Sequence, residues 1–273
     1  MQYIKLKSRG ASVSFLQELL VDMGYEVTVS GYFDTMTDRS IRDFQQENLL
    51  IVDGEVGIKT WTILLGNAKP AEAFGDKFLS EKDLNEFSER YVLSLASVKA
   101  VNEVESSGKA FLIDGRPKIL FEGHVFWRQL DDRGINPREF STSENASVLY
   151  DKFTRANYLG GAREYDRMDS AAAISPDPKF KEAALSSVSW GCYHVMGYHS
   201  IPLGYGSVTH FVDEMYTHER NHLETFGRYI LKYDCLDYLR KLDWSKFAKC
   251  YNGPAFAKNK YDAKMAKAFL KYS

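Results

Sequence analysis

Helical periodicity begins at Val13, stops near Leu65 and does not resume until Ser80. The stretch Gly66-Asn67-Ala68-Lys69-Pro70-Ala71-Glu72-Ala73-Phe74-Gly75 has small residues, a proline and little periodicity, as a short linker has. A chain interrupted in this way folds as two unequal domains, and 273 residues give each enough length to bury its own core. The expected boundaries are 1–66 for a small N-terminal domain, 67–78 for the linker and 79–273 for a larger C-terminal domain.

In the first domain Val13, Leu16, Leu19 and Leu20 recur at helical spacing, and Gly24 closes the run as a C-cap glycine does. A turn at Gly31-Tyr32-Phe33-Asp34 leads to a second helix, with Thr37 as its cap and Ile41, Phe44 and Gln45 on its face. Asp53-Gly54-Glu55-Val56-Gly57 is another turn, before a third helix over Thr60 to Leu65. The segments Gly31 to Thr37 and Gly54 to Thr60 echo each other: each places a glycine turn, an apolar residue and a capping hydroxyl before a helix. Beyond the linker, Ser80 caps a long helical pattern with Leu84, Phe87, Tyr91 and Leu95 on one face. An apolar helix from Ser97 then presents Glu105 at its C-terminal end.

Composition narrows the function classes. A hydrophobic content of 44% excludes wholesale disorder, and a net charge of −2 argues against wrapping nucleic acid, which needs a basic face to displace counterions. A local basic segment does occur near the C-terminus, where Lys249, Lys258, Lys260, Lys264, Lys267 and Lys271 read either as a solvated helix face or as a patch attracted to an anionic envelope. Cys192, Cys235 and Cys250 are too few for a disulfide framework and read as reduced core thiols; a catalytic Cys192, paired with His194 or His199, is the minor alternative. No Cys and His spacing suggests a metal site, and no cofactor is expected. The start lacks an apolar leader and no run is long enough to span a bilayer, so the expectation is a cytoplasmic, monomeric chain without a membrane anchor, which needs a separate route to any substrate beyond the inner membrane.

Val13, Leu16-Gln17, Leu20, Gly24-Tyr25, Gly31-Tyr32-Phe33-Asp34, Phe44-Gln45, Asp53-Gly54, Val56-Gly57 and Thr60-Trp61 together resemble the peptidoglycan-binding domain family of three-helix cell-wall modules. That resemblance implies wall recognition through surface loops, with Tyr32, Asp34 and Asp53 as candidate contacts.

The second domain resembles the N-acetylmuramidase family of bacteriophage endolysins and, more distantly, goose-type lysozymes and lytic transglycosylases. The matching residues are Val98 through Gly108, Phe111 through His124, Ser189-Trp190-Gly191 and Cys250 through Tyr261. The implied architecture is mainly α: a three-helix binding domain joined to a predominantly helical, lysozyme-like (α+β) catalytic domain. By the family motif Glu105, just before Ser106, is the proton donor, whereas Glu103 points roughly 200° away around the same helix and reads as a surface carboxylate. Glu122, after the apolar Ile119-Leu120-Phe121, is the candidate second carboxylate that an inverting glycosidase needs to activate water. Its alternative is a buried structural carboxylate paired with Arg116 or His124.

The resemblance also implies that Ser189 and Gly191 line the sugar groove, with His194 where the family has a glutamine. Tyr251-Asn252-Gly253 implies a cleft floor, with the tyrosine hydroxyl on the catalytic carboxyl. Trp127, Trp190, Tyr193, Tyr198 and Tyr205 are candidate sugar-stacking rings. The implied partner is the glycan strand of peptidoglycan and the implied reaction hydrolysis between N-acetylmuramic acid and N-acetylglucosamine. Two alternatives stand beside it: a lytic transglycosylase closing a 1,6-anhydro ring, and a non-catalytic wall-binding protein, against which Glu105 and Tyr251 both argue.

Overall fold

The computed structural model describes residues 3–65, 77–106, 110–112, 114–254 and 256–273. Most of the expected linker, Gly108 and the Ser106 side chain lie outside the described residues. The chain divides into two compact units, residues 1–90 and 91–273, a division further along the chain than the expected linker.

In the first unit α1 (Ala11–Asp22), α2 (Thr35–Glu47) and α3 (Ile58–Leu64) enclose a core of Ile4, Val13, Leu16, Leu20, Phe33, Ile41, Phe44, Val56, Trp61 and Leu64. Backbone bridges Ile4–Val56 and Arg9–Tyr32 tie the N-terminal strand segment to the two turns. The helix-entry echo is real, but its hydroxyls do not cap. The cap of α2 is Asp34, whose carboxylate accepts from the Thr37 N–H, and α3 starts from Gly57 without a side-chain cap. Thr37 and Thr60 instead sit at the third helical position, where Oγ1 donates to Asp34 Oδ1 at 2.8 Å and to the Glu55 carbonyl at 3.1 Å.

What repeats more deeply is a buried glutamine on the preceding helix. Gln17 of α1 accepts from Ser30 and Gly31 N–H and donates to the Tyr32 carbonyl and Thr37 Oγ1. Gln45 of α2 accepts from Asp53 and Gly54 N–H and donates to Asp53 Oδ1 and the Glu55 carbonyl. Each amide supplies the partners that a tight loop cannot give its own backbone, so the loop can fold against the core without stranding polar groups.

Ser80 and Asp83 form a reciprocal cap, Ser80 N–H and Oγ donating to Asp83 Oδ2 and the Asp83 N–H donating to Ser80 Oγ, and they start α4 (Glu81–Tyr91). The expected continuous face through Leu95 is broken at Val92, whose φ of 53° lies in the left-handed region that ends helices. Ser94 then starts α5 (Leu95–Ser106) by accepting from the Ser97 N–H.

The second unit is mainly helical around a small antiparallel sheet, β1 (Ile119–Phe121), β2 (Val188–Trp190) and β3 (Val195–Met196), in the order β1-β2-β3. Ile119 pairs with Trp190 and Phe121 with Val188, and β2 turns through Gly191 to His194 to place Val195 opposite Trp190. On one side α6 (Gly123–Asp131), α7 (Arg163–Ala172) and α8 (Pro178–Ser186) pack together, with α7 against β1. Beyond β3 come α9 (Val208–Thr217), α10 (Glu219–Lys232), α11 (Leu236–Arg240), α12 (Trp244–Asn252), α13 (Phe256–Asn259) and α14 (Tyr261–Tyr272). The last helix packs along both α5 and α12, so it brings the two ends of this unit together.

Glu164 shows how the sheet is fixed. Fully buried, it accepts from Phe121, Leu159 and Gly160 N–H and from the Arg167 guanidinium, whose Nη1 also donates to the Phe121 carbonyl. A buried carboxylate with four donors is satisfied and is held below its usual pKa against the desolvation that opposes it.

The thiol expectation is corrected. Cys235 and Cys250 form a disulfide, joining the start of α11 to the last turn of α12 across Cα atoms 5.7 Å apart. Spacing could not reveal the pair, because the helical turn between the two cysteines, not their separation, brings their Cβ atoms together. Cys192 is the remaining thiol, and it is buried.

Candidate active site

Glu105 lies in the last turn of α5, on the side facing α12 and α14, and only 7% of it is exposed. Asn252 Nδ2 donates to its Oε1 at 3.0 Å. Burial, opposed by the Asn252 hydrogen bond and the Lys264 ammonium, lifts its pKa from 4.5 to about 7. A carboxyl that stays protonated to neutral pH in a site with so few opposing charges is equipped to donate a proton.

Two neighbouring contacts hold this end of α5. Tyr193, in the β2–β3 turn, donates to Asn102 Oδ1 at 2.8 Å, one turn before Glu105. Tyr251 donates to the Tyr193 carbonyl at 2.5 Å, so its hydroxyl does not bond the catalytic carboxyl as the family resemblance implied; the adjacent Asn252 takes that position. Sequence gives no signal for this exchange, because a helix C-terminus sets which of two adjacent side chains points inward. Glu103 behaves as expected, pairing on the other side of α5 with Lys271 Nζ at 2.9 Å and Tyr272 Oη at 2.7 Å.

Glu122 belongs to a different network. Its backbone N–H bonds the Ser187 carbonyl, whereas the Gly191 N–H bonds the Lys118 carbonyl at the other end of the β1–β2 pair. Four residues of strand, roughly 13 Å, therefore separate the Glu122 backbone from the level at which the Tyr193 turn leaves the sheet. The Glu122 carboxylate receives the Tyr158 hydroxyl at 2.7 Å from each oxygen. Of its two expected partners, Arg116 pairs with Asp114 instead, and His124 Nδ1 stands 3.4 Å away without hydrogen-bond geometry. Burial and the nearby Arg128 lower the His124 pKa, so it is a neutral neighbour at pH 7. No hydrogen bond among the described residues joins Glu122 to the Glu105 network.

Other expected groove residues have core duties. Ser189 is buried within β2. Gly191 has φ +69°, and a Cβ there would strike the His222 ring, so the close approach it permits is that of an imidazole. His222 Nε2 lies 2.7 Å from the Met215 carbonyl, which can only accept, and this fixes Nδ1 as the acceptor facing the Cys192 N–H and thiol. The histidine partner of Cys192 is thus His222, not His194 or His199.

His194, at φ 53°, is exposed at its outer face while protein crowds the rest of the ring. Desolvation and the Lys118 ammonium draw its pKa down to about 4, so it is a neutral imidazole at pH 7. Trp190, Tyr193 and Tyr205 are buried and cannot stack on a sugar, whereas Trp127 and Tyr198 keep part of their surface open.

In the first unit, Asp34 and Asp53 are likewise committed to their turns. Asp34 caps α2, and Asp53 Oδ1 accepts from Gln45 Nε2 and from the Glu55 N–H. Tyr32 is half-buried with the Arg9 guanidinium 4.2 Å from its ring centre. Among the described residues no cluster of His, Cys, Asp and Glu is placed to hold a metal, and no helix is long and apolar enough to cross a membrane.

The chain matches the N-acetylmuramidase family over residues 94–273 and a peptidoglycan binding domain family over residues 9–64. It is similar to the crystal structure of the Burkholderia AP3 phage endolysin, with 38% identity, a TM-score of 0.86 and coverage of 100% of this chain and 98% of that one. The curated proteins contain no match.

Proposed function

The chain belongs to the N-acetylmuramidase family and is a peptidoglycan-cleaving glycosidase with a wall-binding unit ahead of it, and from that premise we propose that it hydrolyses the β-1,4 bond between N-acetylmuramic acid and N-acetylglucosamine with Glu105 as general acid. The observation that carries this reading is the buried Glu105 carboxyl, hydrogen-bonded by Asn252 and protonated up to about pH 7. Its proton passes to the glycosidic oxygen as the bond to the anomeric carbon breaks, and water completes the exchange.

Glu105→Gln keeps shape and burial but removes the donatable proton. Turnover on purified sacculi should fall by about a hundredfold or more with folding intact. Mass spectrometry of the products reads the reaction type: reducing N-acetylmuramic ends mean hydrolysis, and 1,6-anhydro ends mean transglycosylation. Near-normal lysis by folded Glu105→Gln overturns the assignment. The N-terminal unit acts as a tether that raises the local concentration of the enzyme on the wall. Deleting it should weaken adsorption to sacculi and leave cleavage of short soluble fragments unchanged.

A further inference from the structure

The end of α12 is fixed more firmly than an ordinary helix terminus. The Cys235–Cys250 disulfide, the Tyr251 hydroxyl on the Tyr193 carbonyl and the left-handed Gly253, at φ +76°, bracket Asn252 on both sides. The result of this bracing is one contact, Asn252 Nδ2 to Glu105 Oε1. The amide's other end, Oδ1, is buried and has no hydrogen-bond partner among the described residues. Among the described residues Asn252 therefore makes a single side-chain hydrogen bond, and it makes it to the acid.

We propose that Asn252 is the positioning residue of the proton donor: its Nδ2–H occupies Oε1, which places the acidic hydrogen on Oε2, and it then stabilises the carboxylate left when that hydrogen departs. This rests on the reading of Glu105 as general acid. In the step itself the Oε2–H bond breaks and leaves its electron pair on Glu105. The proton joins the glycosidic oxygen, which also takes the electron pair of its bond to the anomeric carbon. Negative charge appears on the Glu105 carboxylate and positive charge on the sugar ring. A carboxylate only accepts hydrogen bonds, and bonds to charged groups are about twice as strong as neutral ones, so the Asn252 contact strengthens as the proton leaves. Such an interaction accelerates the chemical step rather than ground-state binding. With the amide turned over, Oδ1 would accept the proton on Oε1 and hold it away from the substrate.

The other groups whose charges reach Glu105 are Lys264 and Tyr261 of α14, Tyr251 of α12 and Tyr193 of the β2–β3 turn. The tyrosines have raised pKa values and stay neutral across the working range, so Asn252 is the group whose removal can be read cleanly in a pH profile.

The experiment is the pH dependence of kcat and KM on soluble muropeptide oligomers for wild type, Asn252→Leu and Glu105→Gln, with melting temperature measured alongside. Losing the N–H removes a bond that favours the ionised acid, so the acid holds its proton to higher pH and the alkaline limb of kcat moves upward. At the optimum kcat should fall about ten- to a hundredfold, the worth of one hydrogen bond to a charged group, with KM within about twofold. Should Asn252→Leu fail to fold, Asn252→Ser, too short to span the contact, is expected to give the same shift. A folded variant whose alkaline limb stays at the wild-type position overturns the proposal. If Glu105→Gln is itself active, the general-acid reading fails; if Glu105→Gln is dead while the Asn252 profile is unmoved, only the positioning role fails.

Discussion

Tyr158 places its hydroxyl 2.7 Å from both carboxylate oxygens of Glu122. That symmetric contact gives the half-buried carboxylate a partner at the β1–α6 junction. Glu122→Ala should lower the melting temperature, consistent with about 1–3 kcal/mol for the lost charge-assisted bond, while the folded fraction keeps near-normal turnover. Tyr158→Phe should do the same more mildly. A Glu122→Ala protein that is stable but inactive, especially one that forms glycosyl azide when azide is added, would restore Glu122 as the base that activates water.

The burial of Glu105 couples its protonation to stability. Its folded pKa of about 7 exceeds the ordinary 4.5, so its contribution is fully present below about pH 4.5 and is lost as pH rises through 7. Glu105→Gln escapes that loss. Relative to wild type it should gain up to roughly 3 kcal/mol between pH 4 and pH 8, read as a widening gap in denaturant midpoints. A constant gap across that range contradicts the burial argument.

In the binding unit, Gln45→Ala leaves the Asp53 and Gly54 amides without the Gln45 acceptor. Asp53 N–H keeps the Ile51 carbonyl, so the expected loss is roughly 1–3 kcal/mol, the penalty for one stranded donor at Gly54. Hydrogen exchange at those two amides is the direct measurement, and unchanged protection would sink the clamp role. Gln17→Ala should act in the same way on Ser30 and Gly31.

The disulfide closes a segment of 15 residues, for which the chain-entropy account gives about 3 kcal/mol. Reduction should lower the melting temperature and release the partly exposed Cys250 to maleimide in the folded state, while the fully buried Cys235 should label only on unfolding. Cys192, buried against His222, should label only on unfolding. Finding three reactive thiols in unreduced protein would contradict the pairing.

Much of this was legible in the sequence because short-range patterns carried it. Glu105 at the end of an apolar helix, the two glycine turns and the Ser80 cap each depend on neighbours within four residues. What stayed hidden depends on partners that folding supplies. Gln17 and Gln45 look like polar interruptions of apolar faces until the loops they clamp are in place. Trp190 and Tyr193 look like sugar platforms, yet the three-stranded sheet and α10 enclose them. Val92 ends a helix without a glycine to announce it. Whether Tyr251 or Asn252 meets the acid is decided by the rotation of α12 alone.

Glu105 and Asn252 stand 147 residues apart along the chain. At the usual 5–20 residues per second of synthesis, about 7–30 seconds pass between the appearance of the acid and that of its partner. Throughout that interval the helices that bury the carboxyl are also unmade, so it remains an ordinary, ionised glutamate. The raised pKa of the acid is accordingly a property of the finished fold, and it arises only once the C-terminal helices close over the carboxyl.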